Sequence, residues 1–235
     1  MTTTPVRVEI RVVAIWGMGK AGGSLAYSCE GHGVDVIACR PRAGRPSIEH
    51  LHPSITWCDD VHSWVRAARQ RRADLLVLAL PDDDLLSAVA TLANADVSGL
   101  VLAHLSGSAS TTTLQRAAGI PVGRFHPLAV LDGCTPIPEQ TMMACTALEP
   151  SLRLTLHALA HALGLQLFDL DDDNRIAYHL AASIVANLSI ALLDWGCALL
   201  QEAGVDEDRA RVALSDLLKG TAEKTSRMPL PAAMT

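Results

Sequence analysis

Aromatic side chains are scarce in this chain of 235 residues, at 3% of positions, while 49% of positions are hydrophobic. The material for a large core is therefore aliphatic. A basic surplus is missing as well. Nineteen Lys and Arg against 25 Asp and Glu give a formal charge of -6, which argues against a nucleic-acid or membrane-surface partner. The six cysteines (Cys29, Cys39, Cys58, Cys134, Cys145 and Cys197) form no C-x-x-C pair and no ladder of spacings. They read as reduced, mostly buried thiols of a cytoplasmic protein. Nothing near Met1 has the apolar core and small-residue cleavage site of a signal peptide. The run Ile176 to Leu193 is long enough to suggest a membrane span, but Tyr178, His179, Ser183, Asn187 and Ser189 interrupt it. A buried helix and no membrane are expected.

What is present is a glycine turn. Val12 to Trp16 is an apolar run that ends in Gly17-Met18-Gly19-Lys20-Ala21-Gly22, the G-x-G-x-x-G pattern between a strand and a helix. Gly17 suits the tight turn, Gly19 the approach of a pyrophosphate, and Gly22 close packing of helix on strand. The helix start then favours an anion. A strand over Val6 to Ile15, a helix to Glu30 and a strand over Val34 to Cys39 make the opening βαβ unit. At the tip of that second strand an acid is absent. The chain reads Cys39-Arg40-Pro41-Arg42, so two guanidiniums stand where an NAD site carries Asp or Glu for the ribose 2′-hydroxyl. A 2′-phosphate, and hence NADP, is favoured over a merely solvated basic loop.

The remaining chain alternates in the same way. A helix is expected over Trp57 to Arg69, a buried strand over Ala73 to Leu80, and a helix from about Leu85 to Ala95. Asp82 to Asp84 read as helix-start residues in preference to a metal site, and no metal is expected. Gly99 to Leu105 is an apolar strand, and Ser106-Gly107 follows at its carboxyl end, where ligands of open α/β sheets bind. The same serine also suits a turn or helix start. His126 closes the strand over Val122 to Leu128, before a proline, either as acid, base or substrate ligand or as a loop hydrogen-bonder. Strands over Met142 to Ala147 and Leu165 to Leu170 flank a helix over Ser151 to Leu163. A helix from about Arg175 to Ala203, roughly 43 Å at 1.5 Å per residue, suits an interdomain or dimer core. It places His179, Ser183 and Asn187 on one stripe. Asp206 caps a last helix to about Lys219.

Gly17 to Gly22, Leu80-Pro81-Asp82-Asp83, His104-Leu105-Ser106-Gly107, Gly123 to Leu128 and Tyr178-His179 through Asn187 together resemble the 6-phosphogluconate dehydrogenase-like superfamily. The match is to its branch with a Rossmann-like NADP-binding domain and a small C-terminal helical domain of unknown function. The resemblance implies an α/β fold, a doubly wound parallel sheet over 1–170 followed by an all-helical domain over 171–235. It implies a cofactor site of Gly17, Met18, Gly19, Lys20, Ala21, Gly22, Arg40, Arg42, Leu80 and Pro81, a small-molecule substrate between the domains, and a homodimer through the C-terminal helices. Arg40 matches the superfamily's arginine, whereas Cys39 and Pro41 depart from its neighbours. Ser183 stands at the apparent place of the hydroxyacid enzymes' lysine, while Asn187 is retained. The branch also runs on past Pro231 to Thr235, so a shortened chain is expected.

With that lysine absent, proton delivery falls to His179, His126 or water. The expected activity is hydride transfer between NADP(H) and the C=O or C=N carbon of a keto- or imino-acid-like substrate. Ser106 is expected to bind the substrate or the nicotinamide carboxamide, His179 to be the general acid, and His126 and Asn187 to orient or polarise the reacting group. The rivals are an NADP-binding sensor or scaffold without catalysis, and a deazaflavin-linked NADP oxidoreductase.

Overall fold

A computed structural model describes residues 9–40 and 54–233. The expected strand start at Val6 to Val8, the expected phosphate ligand Arg42 and the terminal residues Met234 and Thr235 lie outside these. The chain divides into two compact units, Met1–His179 and Leu180–Thr235. The boundary read from the sequence, at 170, falls just after the last strand.

The first unit alternates strands and helices: β1 Val12–Trp16, α1 Lys20–Gly31, β2 Asp35–Cys39, β3 Thr56–Cys58, α2 Val61–Gln70, β4 Leu75–Leu78, α3 Asp82–Ala93, β5 Leu102–His104, α4 Thr111–Ala118, β6 Val122–Pro127, β7 Met142–Ala147, α5 Pro150–Ala162 and β8 Gln166–Asp169. They form an eight-stranded sheet in the order β3-β2-β1-β4-β5-β6-β7-β8. Every neighbouring pair is parallel except β6 with β7. Because alternate strand residues point to opposite faces, the sheet supports two separate cores. Val13, Ile15, Val77, Ala103 and Phe125 pack with Leu25 of α1 and Leu152, Leu156 and Leu159 of α5. Val12, Ala14, Ile37, Leu76, Leu78, Leu102 and Val122 pack with Trp64 of α2, Leu85 and Val89 of α3 and Leu114 of α4. Helices on both faces of a mainly parallel sheet make the doubly wound α/β fold read from the sequence. Strand order reverses between β1 and β4, and a crevice opens there beyond the carboxyl ends of the strands.

Two local readings change. Trp57 belongs to the short strand β3 and not to a helix. The helix starts only after Asp60, whose carboxylate accepts from the Ser63 N–H at 2.8 Å. Asp82, Asp83 and Asp84 occupy the first turn of α3, where the helix dipole favours acids, but none makes a side-chain cap.

The C-terminal region is helical, as expected, with α6 Arg175–Ser183, α7 Ser189–Glu202, α8 Glu207–Arg227 and a short α9 Leu230–Ala233. The long helix is not regular. A π turn at Ile184–Leu188 separates α6 from α7, so the 3.6-residue stripe drawn through His179, Ser183 and Asn187 loses its phase before Asn187. The Ser189 hydroxyl donates to the Val185 carbonyl at 2.5 Å, against the regular ladder. The expected burial of this helix is not met within one chain. Asp172–Glu202 is long and apolar enough to cross a membrane by length and composition, and 0% of its apolar window is buried. Val185, Ile190, Trp195 and Leu199 all face outward. Two helices packed on each other, α7 and α8, have too little partner surface to cover them.

Candidate functional site

Two groups of residues stand along one edge of the sheet, because β1, β4, β5 and β6 run parallel as neighbours and end side by side. At the reversal of strand order lies a cleft of about 470 Å³, lined among others by Gly17, Met18, Gly19, Lys20, Arg40, Leu80 and Pro81. Seven expected cofactor residues thus converge. Ala21 and Gly22 stand behind them in the first turn of α1. Gly17 holds φ at +102°, and a Cβ there would lie 2.4 Å from the Ala79 carbonyl oxygen, so only glycine fits. A Cβ on Gly19, by contrast, would meet no atom within 4 Å. The space over the turn is open to a ligand, and Gly19 begins α1 with no side-chain cap. Arg40 follows β2 at the cleft's far rim. One carboxylate, Asp84, lines the same cleft from α3.

The second group surrounds Gly107. A methyl placed on Gly107 would lie 2.6 Å from His179 Nδ1 and 3.0 Å from His126 Nε2, so two imidazole nitrogens converge on this one backbone position. Ser106 is buried beside it. Its hydroxyl oxygen accepts from the N–H groups of Ser108 at 3.2 Å and Ala109 at 2.9 Å, which holds the turn and leaves its proton able to donate. The Ser108 hydroxyl is bonded to Asp82, tying this loop to the start of α3. His126 Nδ1 is 2.7 Å from the Tyr178 hydroxyl, and the two rings meet edge-on at 89°. Burial, then His179 and Arg124, depress the His126 pKa to about 4, so the ring is neutral at neutral pH. That suits the polarising role expected of it, since a neutral imidazole still offers an N–H.

A buried ion pair supports this group. Arg124 and His126 stand two residues apart on one face of β6. The Arg124 side chain is 0% exposed, and it reaches the Ser106 carbonyl at 3.3 Å, the Ala109 carbonyl at 2.6 Å, Thr146 Oγ1 at 3.0 Å and Asp172 Oδ1 at 3.1 Å. Burial pulls its pKa below the usual value, against Asp172, yet a guanidinium stays charged in a protein. Asp172 also accepts from the N–H groups of Thr111 at 3.0 Å and Thr112 at 3.2 Å and from the Ser110 hydroxyl at 2.9 Å. Burial opposes its ionisation, but these donors together with Arg124 hold its carboxyl down at about 2.

Asn187 belongs to the second unit, where it is exposed in the π turn. Sequence reasoning missed Arg124, Asp172 and Tyr178. The two-residue spacing of Arg124 and His126 on a strand was the available signal for the first.

His104, fully buried on β5 with Nε2 3.1 Å from Thr111 Oγ1, has its pKa pushed down to about 3 by burial and then by Arg124. Both His104 and His126 therefore stay neutral in the fold where the unfolded chain, near pKa 6.5, takes up protons. Neither ring bears on stability above about pH 6.5; below it the unfolded chain binds protons that the fold resists, and stability falls until pH passes about 4 for His126 and about 3 for His104. Urea unfolding should show stability falling by roughly 1.4 kcal/mol per pH unit for each ring between pH 6 and 4.5, and His104→Gln should remove about half of that slope.

Comparison with known proteins agrees with this architecture. The model of the Rossmann-like domain family matches residues 2–127. The family described as Domain of unknown function (DUF2520) matches residues 141–235. No curated protein is significantly similar in sequence. Among solved structures, a Bacteroides fragilis protein provisionally assigned as an NADP oxidoreductase is 17% identical, with a TM-score of 0.76, over 97% of this chain and 84% of its own. The pyrroline carboxylate reductase of Plasmodium falciparum, solved with NADP bound, is 10% identical with a TM-score of 0.69, over 94% of this chain and 80% of its own. The prephenate dehydrogenase of Aquifex aeolicus is 13% identical with a TM-score of 0.64, over 94% of both chains. At such identities the likeness establishes the fold.

Proposed function

We propose, for a chain that belongs to the Rossmann-like domain family, an NADP(H)-dependent oxidoreductase acting on the C=O or C=N carbon of a small keto- or imino-acid-like substrate. The observation that carries this reading is the cleft that joins the open glycine turn to Arg40, on the same sheet edge as the two imidazoles around Gly107. The turn fits a dinucleotide. Gly17 to Lys20 would receive the pyrophosphate at the α1 N-terminus, Leu80 and Pro81 would wall the cleft, and Arg40 would meet the 2′-phosphate. The bound nicotinamide would supply hydride chemistry, which no side chain provides.

The chain's own residues do the rest. Ser106 offers its hydroxyl proton to the substrate, His126 polarises the reacting group as a neutral ring, and His179 delivers the proton. The Rossmann-like family match over residues 2–127 supports the reading, as do the NADP-linked names of structural neighbours and the NADP carried by the Plasmodium falciparum reductase. A second copy of the chain, covering the apolar faces of α6 to α8, is the proposed occupant of that surface.

The test is to mix the protein with NADPH and a panel of keto acids and cyclic imino acids and follow nicotinamide absorbance. Turnover of a panel member supports the proposal. NADPH binding without any turnover would favour the non-catalytic NADP-binding reading. Arg40→Ala should weaken NADPH binding by about ten- to a hundredfold, the value of a charge-assisted phosphate contact, and leave NADH affinity unchanged.

A further inference from the structure

We infer that Tyr178 is a positioning residue that fixes the tautomer of His126, so that Nε2 carries the proton and offers a hydrogen-bond donor beside Gly107. The Tyr178 hydroxyl lies 2.7 Å from His126 Nδ1. One of the two groups must donate. A phenol, with a pKa near 10 in water, is a far stronger acid than the N–H of a neutral imidazole, so the O–H is the donor and Nδ1 the acceptor. Burial pushes the phenol up to about 12, which keeps it an O–H donor at every working pH. The ring of Tyr178 is held for this purpose by Phe168 at 5.8 Å on one side and by its edge-on contact with His126 on the other. A neutral imidazole accepting at Nδ1 must be protonated at Nε2. Nε2 is the nitrogen that faces Gly107.

This narrows the substrate, and it rests on the reductase reading. A neutral Nε2–H beside the turn recognises an acceptor, such as the carbonyl oxygen of a keto acid. It offers nothing to a protonated imine, which is itself a donor. The inference therefore favours an acceptor at the reacting group, a carbonyl oxygen or an unprotonated imine nitrogen, over a protonated imine. The groups that bear on His126 are Tyr178, His179, Arg124 and Asp82, and none of them supplies an acceptor to Nδ1 in place of the phenol.

Long-range nitrogen-15 correlation spectra of the full chain at pH 7.5 read the tautomer directly, with His126→Gln used to assign the resonance. The expected result is a protonated Nε2 and an unprotonated, accepting Nδ1. A protonated Nδ1 would overturn the inference whether or not the protein turns anything over. Tyr178→Phe should give a mixed tautomer for His126 and lower kcat on a keto acid by about tenfold, the worth of one well-placed hydrogen bond. NADPH affinity should not move. An unchanged His126 spectrum in Tyr178→Phe would equally overturn it. Should that variant fail to fold, the native spectrum alone decides. Absence of NADPH binding would instead refute the reductase reading and leave the tautomer result standing.

Discussion

Asp172→Ala should cost the first unit about 3–5 kcal/mol, the penalty for leaving a buried charge without its partner. A domain of this kind is stable by only about 5–15 kcal/mol, so the variant is expected to be partly unfolded at 37 °C. The reason is the number of groups that one carboxylate satisfies. Arg124, wholly buried, loses its only anionic partner among the described residues, while the Thr111 and Thr112 N–H groups and the Ser110 hydroxyl lose an acceptor at the start of α4. Asp172→Asn should cost less, because an amide oxygen can still accept from the helix start. Asp172 is ionised in the fold down to a pKa of about 2, below the ordinary value near 3.9. Its contribution is complete above pH 4 and is lost as pH falls through about 2, separately from the histidine effect at higher pH. Thermal unfolding of native, Asn and Ala proteins at pH 7.5 checks the order. Equal melting temperatures in all three would refute the role given to this pair.

Gly22→Ala should abolish nucleotide binding by deforming the turn. The added methyl would lie 1.9 Å from the Gly17 carbonyl oxygen and 2.9 Å from Ala79 Cβ. Neither neighbour can rotate away, since one is backbone and the other is fixed at the end of β4. Relief requires α1 to move off the strand or the turn to open, at roughly 1–3 kcal/mol for overpacking. Gly17, already at φ +102°, has no second conformation that keeps the turn. Gly19→Ala is the informative control. Its methyl enters open space, so melting temperature should hold while NADPH affinity falls roughly a hundredfold, because the methyl takes the place of the pyrophosphate. Retained affinity in Gly19→Ala would mean that the nucleotide does not lie over this turn.

The sequence made the first unit readable because its signals are local. The apolar runs of β1 and β2, the glycines between them and Arg40 at the strand tip all fall within one βαβ unit. The short strand β3 escaped because three residues carry little pattern and Trp57 also suits the polar-faced helix that follows. The supporting network escaped for a different reason. Arg124 and Asp172 are 48 residues apart and His126 and Tyr178 are 52, and nothing in local spacing reports such pairs. Asp172 lies in an acidic run that reads as an ordinary helix start. The structure shows one member of that run reaching back to cap α4. The apolar helix after it was read as buried because its composition demands cover, and the described residues of this chain do not supply it. The π turn at 184–188 likewise cannot be seen in a stripe counted at regular helical spacing.

A dinucleotide bearing a 2′-phosphate is proposed to lie across Gly17 to Lys20 with that phosphate at Arg40. Calorimetric titration of the native chain with NADPH and with NADH tests it most directly. One NADPH should bind per chain, at least about tenfold more tightly than NADH, as expected for one additional phosphate–guanidinium contact. No heat with either nucleotide, or a preference for NADH with Asp84 in place of Arg40 deciding the ribose end, would contradict it.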